Sequence, residues 1–237
     1  MIKSKTRTHT TAKLALFAAV LAFSTSAQAA TIVTMDTSIG QDWPTSGIAA
    51  IQETSNNNRD GRDNRNLTQT FQIPESIFND TNEVFQLDTI YIEFNNMNNG
   101  HNFDLRLFSL PDTRASNLND AIEINSWSLT TSSTGNQITT FNFSGDPILL
   151  DRTDGNGSGY AFQLDDDGTG TTNFQIRWQS AGDVYSGGNA YEEGSRRASN
   201  DFTFAVEGTV VIPEPGTLVL LGIAGIAGLI GFRRRKR

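Results

Sequence analysis

The sequence predicts an all-β fold, a jelly-roll-like two-sheet sandwich with an N-terminal signal peptide and one C-terminal transmembrane helix. Short runs alternate apolar and polar residues, and clusters of glycine, asparagine, serine and threonine punctuate them at close intervals. No apolar stripe with a 3.6-residue period reaches a useful length. With both ends set aside, about 180 of the 237 residues remain, enough for one ordinary core.

The first segment carries Lys3, Lys5, Arg7 and Lys13, then the apolar run LALFAAVLAF over 14–23, then Ala27-Gln28-Ala29. A basic start, a short apolar stretch and small residues at a cleavage site make a secretory signal peptide over 1–29, with Ala27 and Ala29 defining the cut. Ten apolar residues are too few to span a bilayer, which takes about 20.

The body, residues 30–210, reads as strands. Ile90, Ile92 and Phe94 alternate with Tyr91 and Glu93, and Phe103, Leu105 and Leu107 with Asp104 and Arg106. Phe174, Ile176 and Trp178 alternate with Gln175, Arg177 and Gln179, and Phe202, Phe204 and Val206 with Thr203, Ala205 and Glu207. Each pattern gives a strand one buried face. Further runs lie near 31–35, 67–73, 122–130, 137–143, 147–150 and 158–164, and a two-sheet jelly roll accommodates about ten strands of this kind. Glu53 to Asn66 is too polar for a core and is expected as a surface loop.

Residues 216–232 (GTLVLLGIAGIAGLIGF) contain no charge, and Arg233, Arg234, Arg235, Lys236 and Arg237 follow at once. Seventeen uncharged positions reach the short end of a spanning helix. The basic flank stays in the cytoplasm, which leaves the body outside. Ahead of the span, Pro213 and Pro215 bracket Glu214, and two prolines so spaced keep this segment out of helix interiors and sheet ladders. Pro213-Glu214-Pro215, a glycine-rich span and an all-basic terminus together resemble the PEP-CTERM sorting signal over 211–237. That resemblance implies export, membrane insertion and processing near the motif by exosortase, an integral membrane cysteine protease of bacteria that make extracellular polysaccharide. A second resemblance covers most of the body. The succession of Leu67–Phe71, Leu87–Tyr91, Phe103–Leu107, Gly159–Phe162, Tyr185–Tyr191 and Asp201–Val206 is similar to jelly-roll accessory domains of bacterial surface proteins, which implies a fold and no catalytic residues.

Composition narrows the chemistry of the body. Residues 31–212 hold 25 acids against nine arginines, a formal charge of −16 that repels phosphate backbones, so nucleic acid is not an expected partner. There is no cysteine, and no lysine between Lys13 and Lys236, which removes thiolate and Schiff-base chemistry. His101 is the one histidine left after signal removal; it sits in Asn98–Asn102 as an expected solvated loop residue, with no nucleophile elbow in the sequence.

Calcium is the ion the residues suit best. Asp151, Asp154 and Asn156, and Asp165, Asp166 and Asp167, place hard oxygen donors on glycine-bent loops. Plain hairpin turns are the other reading of both segments. For sugar recognition, Tyr185 and Tyr191, flanking Ser186-Gly187-Gly188-Asn189, are the loop aromatics available, with packing under a long loop as their other reading, while Trp178 and Tyr160 fall on strand alternation and belong to the core. The expectation is an exported, non-catalytic protein of the cell surface or extracellular polysaccharide matrix. The alternative is a surface carbohydrate-active hydrolase, which needs two carboxylates facing each other across a cleft.

Overall fold

The computed structural model describes residues 30–37, 41–61, 65–132, 134–152, 159–166, 174–180, 182 and 184–213. The signal peptide with Ala27 and Ala29 lies outside the described residues, as do Glu214, Pro215, the 216–232 span and the basic tail Arg233, Arg234, Arg235, Lys236 and Arg237. Among the described residues, no helix is long and apolar enough to cross a membrane.

The described chain is all-β. Its strands are β1 (Ile32–Asp36), β2 (Ile48–Gln52), β3 (Asn57–Gly61), β4 (Asn66–Phe71), β5 (Val84–Met97), β6 (Asn102–Leu110), β7 (Ile122–Thr130) and β8 (Gln137–Ser144). They continue as β9 (Ile148–Leu150), β10 (Gly159–Asp166), β11 (Phe174–Gln179), β12 (Ala190–Glu192), β13 (Ser195–Arg197), β14 (Asp201–Phe202) and β15 (Phe204–Val211). One sheet of nine strands is centred on β5, which pairs antiparallel with β8, β15, β11 and β9. The other sheet has six strands in the order β13-β12-β4-β10-β6-β7, all antiparallel.

The two sheets pack as a sandwich because the alternating apolar faces of their strands meet. From the six-stranded sheet, Phe71, Phe103 and Phe162 are buried; from the nine-stranded sheet, Phe141, Phe174 and Phe204 are buried. Their rings meet across the interface at centroid distances of 6.2 Å for Phe103–Phe141, 5.7 Å for Phe103–Phe174 and 5.5 Å for Phe162–Phe204. Tilted and edge-on aromatic contacts of this kind add to the area they bury.

The Glu53–Asn66 stretch departs from the surface-loop expectation, since β3 lies within it and pairs with β11 from Phe174↔Gly61 to Trp178↔Asn57. Among the described residues β3 pairs with β11 and with no other strand, so its ladder needs backbone groups and no apolar face, and a polar sequence satisfies it.

Candidate functional site

Both loop tyrosines turn inward. Tyr191 lies on β12 and is 0% exposed. Its hydroxyl donates to the carbonyls of Thr113 at 3.1 Å and Ala115 at 2.7 Å. Tyr185 is partly buried, its ring edge-on to Phe204 at 5.2 Å, and its hydroxyl accepts a hydrogen bond from the Gln72 N–H at 3.1 Å. Burial pushes both phenols up to about 12. The ligand-platform reading is therefore corrected in favour of packing: the turn at Ser186-Gly187 carries the chain between two anchored rings, and the hydroxyls are engaged by backbone groups.

Of the six candidate calcium ligands, Asp151, Asp165 and Asp166 are among the described residues. The Tyr160 hydroxyl donates to the Asp151 carbonyl at 3.1 Å, holding Asp151 near the start of β10, whereas Asp165 and Asp166 close that strand. The two ends of β10 are roughly 20 Å apart at about 3.3 Å per residue, so Asp151 stands well away from Asp165 and Asp166. Strand alternation sends Asp165 outward to Arg106, at 2.8 Å, and Asp166 inward against His101, at 3.5 Å. Among the described residues no group of three or more His, Cys, Asp or Glu could hold a metal ion, and Asp154, Asn156 and Asp167 lie outside them. His101 itself is 1% exposed, stacked on Phe103 at 6.4 Å and edge-on to Phe174 at 5.4 Å. This overturns its reading as a solvated loop residue: one short turn returns the chain into β6, and the ring enters the core beside a buried carboxylate.

A hollow that sequence reasoning did not find lies on the outer face of the six-stranded sheet. The connection from Pro111 to Ala121 doubles back over that face and is held by the Tyr191 hydroxyl, by Arg196 N–H to the Ser116 carbonyl at 3.2 Å, and by Arg196 Nη1 to the Arg114 carbonyl at 2.7 Å. Beneath it Thr68, Thr70, Ala161 and Gln163 are buried, although alternation points them away from the sandwich core. Between overhang and sheet is a cavity of about 290 Å³ lined by Asn66, Phe108, Leu118, Ala121, Ala161, Gln163, Glu193 and Gly194. Gln163 Nε2 donates to Thr68 Oγ1 at 2.9 Å, which fixes the amide in the floor. Glu193 and Gly194 form the two-residue turn of the β12–β13 hairpin, with φ of 51° and 72°.

Next to the cavity, Arg106 lies between two carboxylates, 2.8 Å from Asp165 and 3.4 Å from Asp104, and the Ser128 hydroxyl donates to Asp104 at 2.7 Å. Burial pushes the Asp165 carboxyl up while Arg106 draws it back, and the net direction is upward. A signal for this face existed in the sequence. Phe108 follows Leu107 out of phase with Phe103, Leu105 and Leu107, which places an aromatic ring on the polar side of β6.

At the far end of the chain, β15 is paired with β5 up to Val211↔Val84, and only Ile212, 62% exposed, separates the strand from Pro213. The molecule is thus a two-sheet sandwich whose last strand runs directly into a C-terminal sorting signal. The family described as the PEP-CTERM protein-sorting motif matches residues 211–236. No curated protein matches the chain. Among solved structures, the cysteine protease and lectin-like domains of Cwp84, a surface layer associated protein of Clostridium difficile, are similar with a TM-score of 0.39 and 12% identity, over 62% of this chain and 32% of that one. A variant of the clostridial cysteine protease Cwp84 after propeptide cleavage is similar at the same TM-score and identity, over 75% of this chain and 40% of that one.

Proposed function

We propose that this chain is exported, held in the membrane by residues 216–232 with its body outside, and processed by exosortase near Pro213-Glu214-Pro215. The processed product is a non-catalytic, jelly-roll-like body delivered to the cell surface or the extracellular polysaccharide matrix. The observation that carries this reading is the sorting motif at 211–236, attached without a linker to a central strand of the sandwich. Non-catalysis is supported by the outer face of the six-stranded sheet, where Asp104 and Asp165 are both engaged by Arg106 instead of facing each other across open space. The fold needs no calcium in this reading, because Asp165 and Asp166 already have Arg106 and His101 beside them.

Mass spectrometry of the surface or released protein is the deciding measurement. In normal cells the C-terminus should lie near Pro213-Glu214-Pro215, and either loss of exosortase or Glu214→Ala should leave the chain intact to Arg237. An intact Arg237 terminus in normal cells would overturn the reading. Release of sugars from the producer's polysaccharide by the purified protein would overturn its non-catalytic part. Chelator should leave the melting temperature unchanged, since an ion bound to the folded state alone would add about 2.7 kcal/mol at a hundredfold excess over Kd.

A further inference from the structure

We infer that the cavity between the Pro111–Ala121 overhang and the six-stranded sheet binds one neutral sugar ring. The lining divides in the way such a ligand does. Phe108 supplies an aromatic face, whose negative quadrupole attracts the C–H side of a pyranose, and Leu118, Ala121 and Ala161 continue the apolar part. Asn66, Gln163 and Glu193 supply the polar part. An amide presents donors and an acceptor together, Gln163 keeping one N–H beyond the one it gives Thr68, and a carboxylate accepts at two oxygens, so the three side chains match vicinal hydroxyls that each donate and accept. The cavity, about 290 Å³, stands at the lower end of small-molecule sites, which start near roughly 300 Å³ and suit a single ring.

Charge selects a neutral ring over an acidic one. Glu193 stands at the lip, Asp104 and Asp165 lie beside the cavity on a body of formal charge −16, Arg106 is already shared between those two carboxylates, and Arg65 between Glu193 and Glu192. An anionic sugar would enter against that field.

The conformation of Glu193 is a second observation pointing to this site. Its φ of 51° is the left-handed region, which costs a side chain such as glutamate and favours asparagine or glycine at this position of a two-residue hairpin turn. Strain of this kind gathers where a side chain is used. Here it sets a carboxylate on the rim of the cavity, 3.9 Å from Arg65.

The inference rests on the exported-surface reading only for where the sugar would be met, and the test keeps the two apart. The full chain in micelles of a sugar-free detergent is mixed with methyl glucoside, methyl galactoside, N-acetylglucosamine or glucuronate, and saturation-transfer NMR is read on the sugar protons. Transfer is expected to at least one neutral sugar and not to glucuronate. Phe108→Ala should abolish it. Glu193→Asn should weaken binding about tenfold while raising the melting temperature by roughly 2–4 °C through relief of the turn, so loss of binding in this variant cannot come from unfolding. Absence of transfer to every neutral sugar, transfer unchanged in both variants, or preference for glucuronate would overturn the site. C-terminal processing should be normal in both variants, and a failure there bears on sorting alone.

Discussion

Burial decides what the aromatic side chains do. All four tyrosines of the chain have phenols pushed up to about 12, first by burial and, for Tyr91, further by the hydrogen bond its hydroxyl donates to Glu207 at 2.5 Å. A folded-state value above the unfolded one near 10 means that the unfolded chain releases its proton first. The stability these phenols carry is complete below about pH 10 and lost as pH rises from there through about 12. Ultraviolet titration should show the tyrosines still protonated in folded protein above pH 10 and ionising together with unfolding; a simple titration at the free-tyrosine value, with the fold retained, would contradict this. Tyr191→Phe removes one hydroxyl from the Thr113 and Ala115 carbonyls, and should cost about 1–3 kcal/mol in denaturant unfolding. The sequence around Tyr185 and Tyr191 made the intervening turn legible. It did not show the direction of the rings, because Tyr191 is set by a connection some 75 residues earlier in the chain and Tyr185 by Phe204 and the Gln72 N–H. His101 was misread for the same reason, since its polar sequence neighbours say nothing of Asp166 across the fold.

Strands that bury one face announce themselves, and β5, β6 and β11 were legible from alternation alone. β3, β12 and β13 were not, because strands of three to five residues at or next to a sheet edge are held by partners outside their own sequence. Glu192 is the clearest of these partners. At 5% exposure on β12 it accepts from Arg59 of β3, from Arg197 of β13 at 2.5 Å and from Arg65 at 3.2 Å, and so ties the edge of one sheet to the other. Burial would push its carboxyl up, but the hydrogen bonds from Arg59 and Arg197 outweigh that and hold it below its ordinary value. The stability it contributes is present above the unfolded carboxylate value and is lost as pH falls through the lowered folded one. Glu192→Gln should cost about 1–3 kcal/mol near neutral pH, discounted because the arginines keep solvent contact, and the gap to wild type should narrow on acidification. A gap independent of pH would mean that the glutamate acts by packing alone. The bulge of β15 at Glu207/Gly208 sets a stricter limit. A Cβ on Gly208 would stand 2.1 Å from the Gln86 carbonyl and 2.5 Å from the Phe85 ring, so Gly208→Ala should cost about 3 kcal/mol, visible as a lowered denaturant midpoint.

At the scale of the whole molecule, the junction between sandwich and tail matters most, because β15 hands the chain to the sorting motif with one intervening residue. From the paired Val211 to Gly216, where the apolar run begins, is five residues, a reach of at most about 18 Å even when fully extended. In the exported reading the body therefore sits close to the membrane until it is processed, and a membrane protease working near Pro213-Glu214-Pro215 must approach beside the end of the nine-stranded sheet. With the motif intact, access then limits the rate of processing. A flexible glycine-serine insertion of roughly ten residues between Ile212 and Pro213 adds about 17 Å of root-mean-square reach without touching a ladder bond. It should leave the melting temperature of the body unchanged and increase the fraction of chain cleaved at a fixed time, measured by pulse-chase and the size of the surface product. Slower cleavage in the insertion variant would show that the protease reads the folded end of the sheet together with the motif, and that the missing linker is part of the signal.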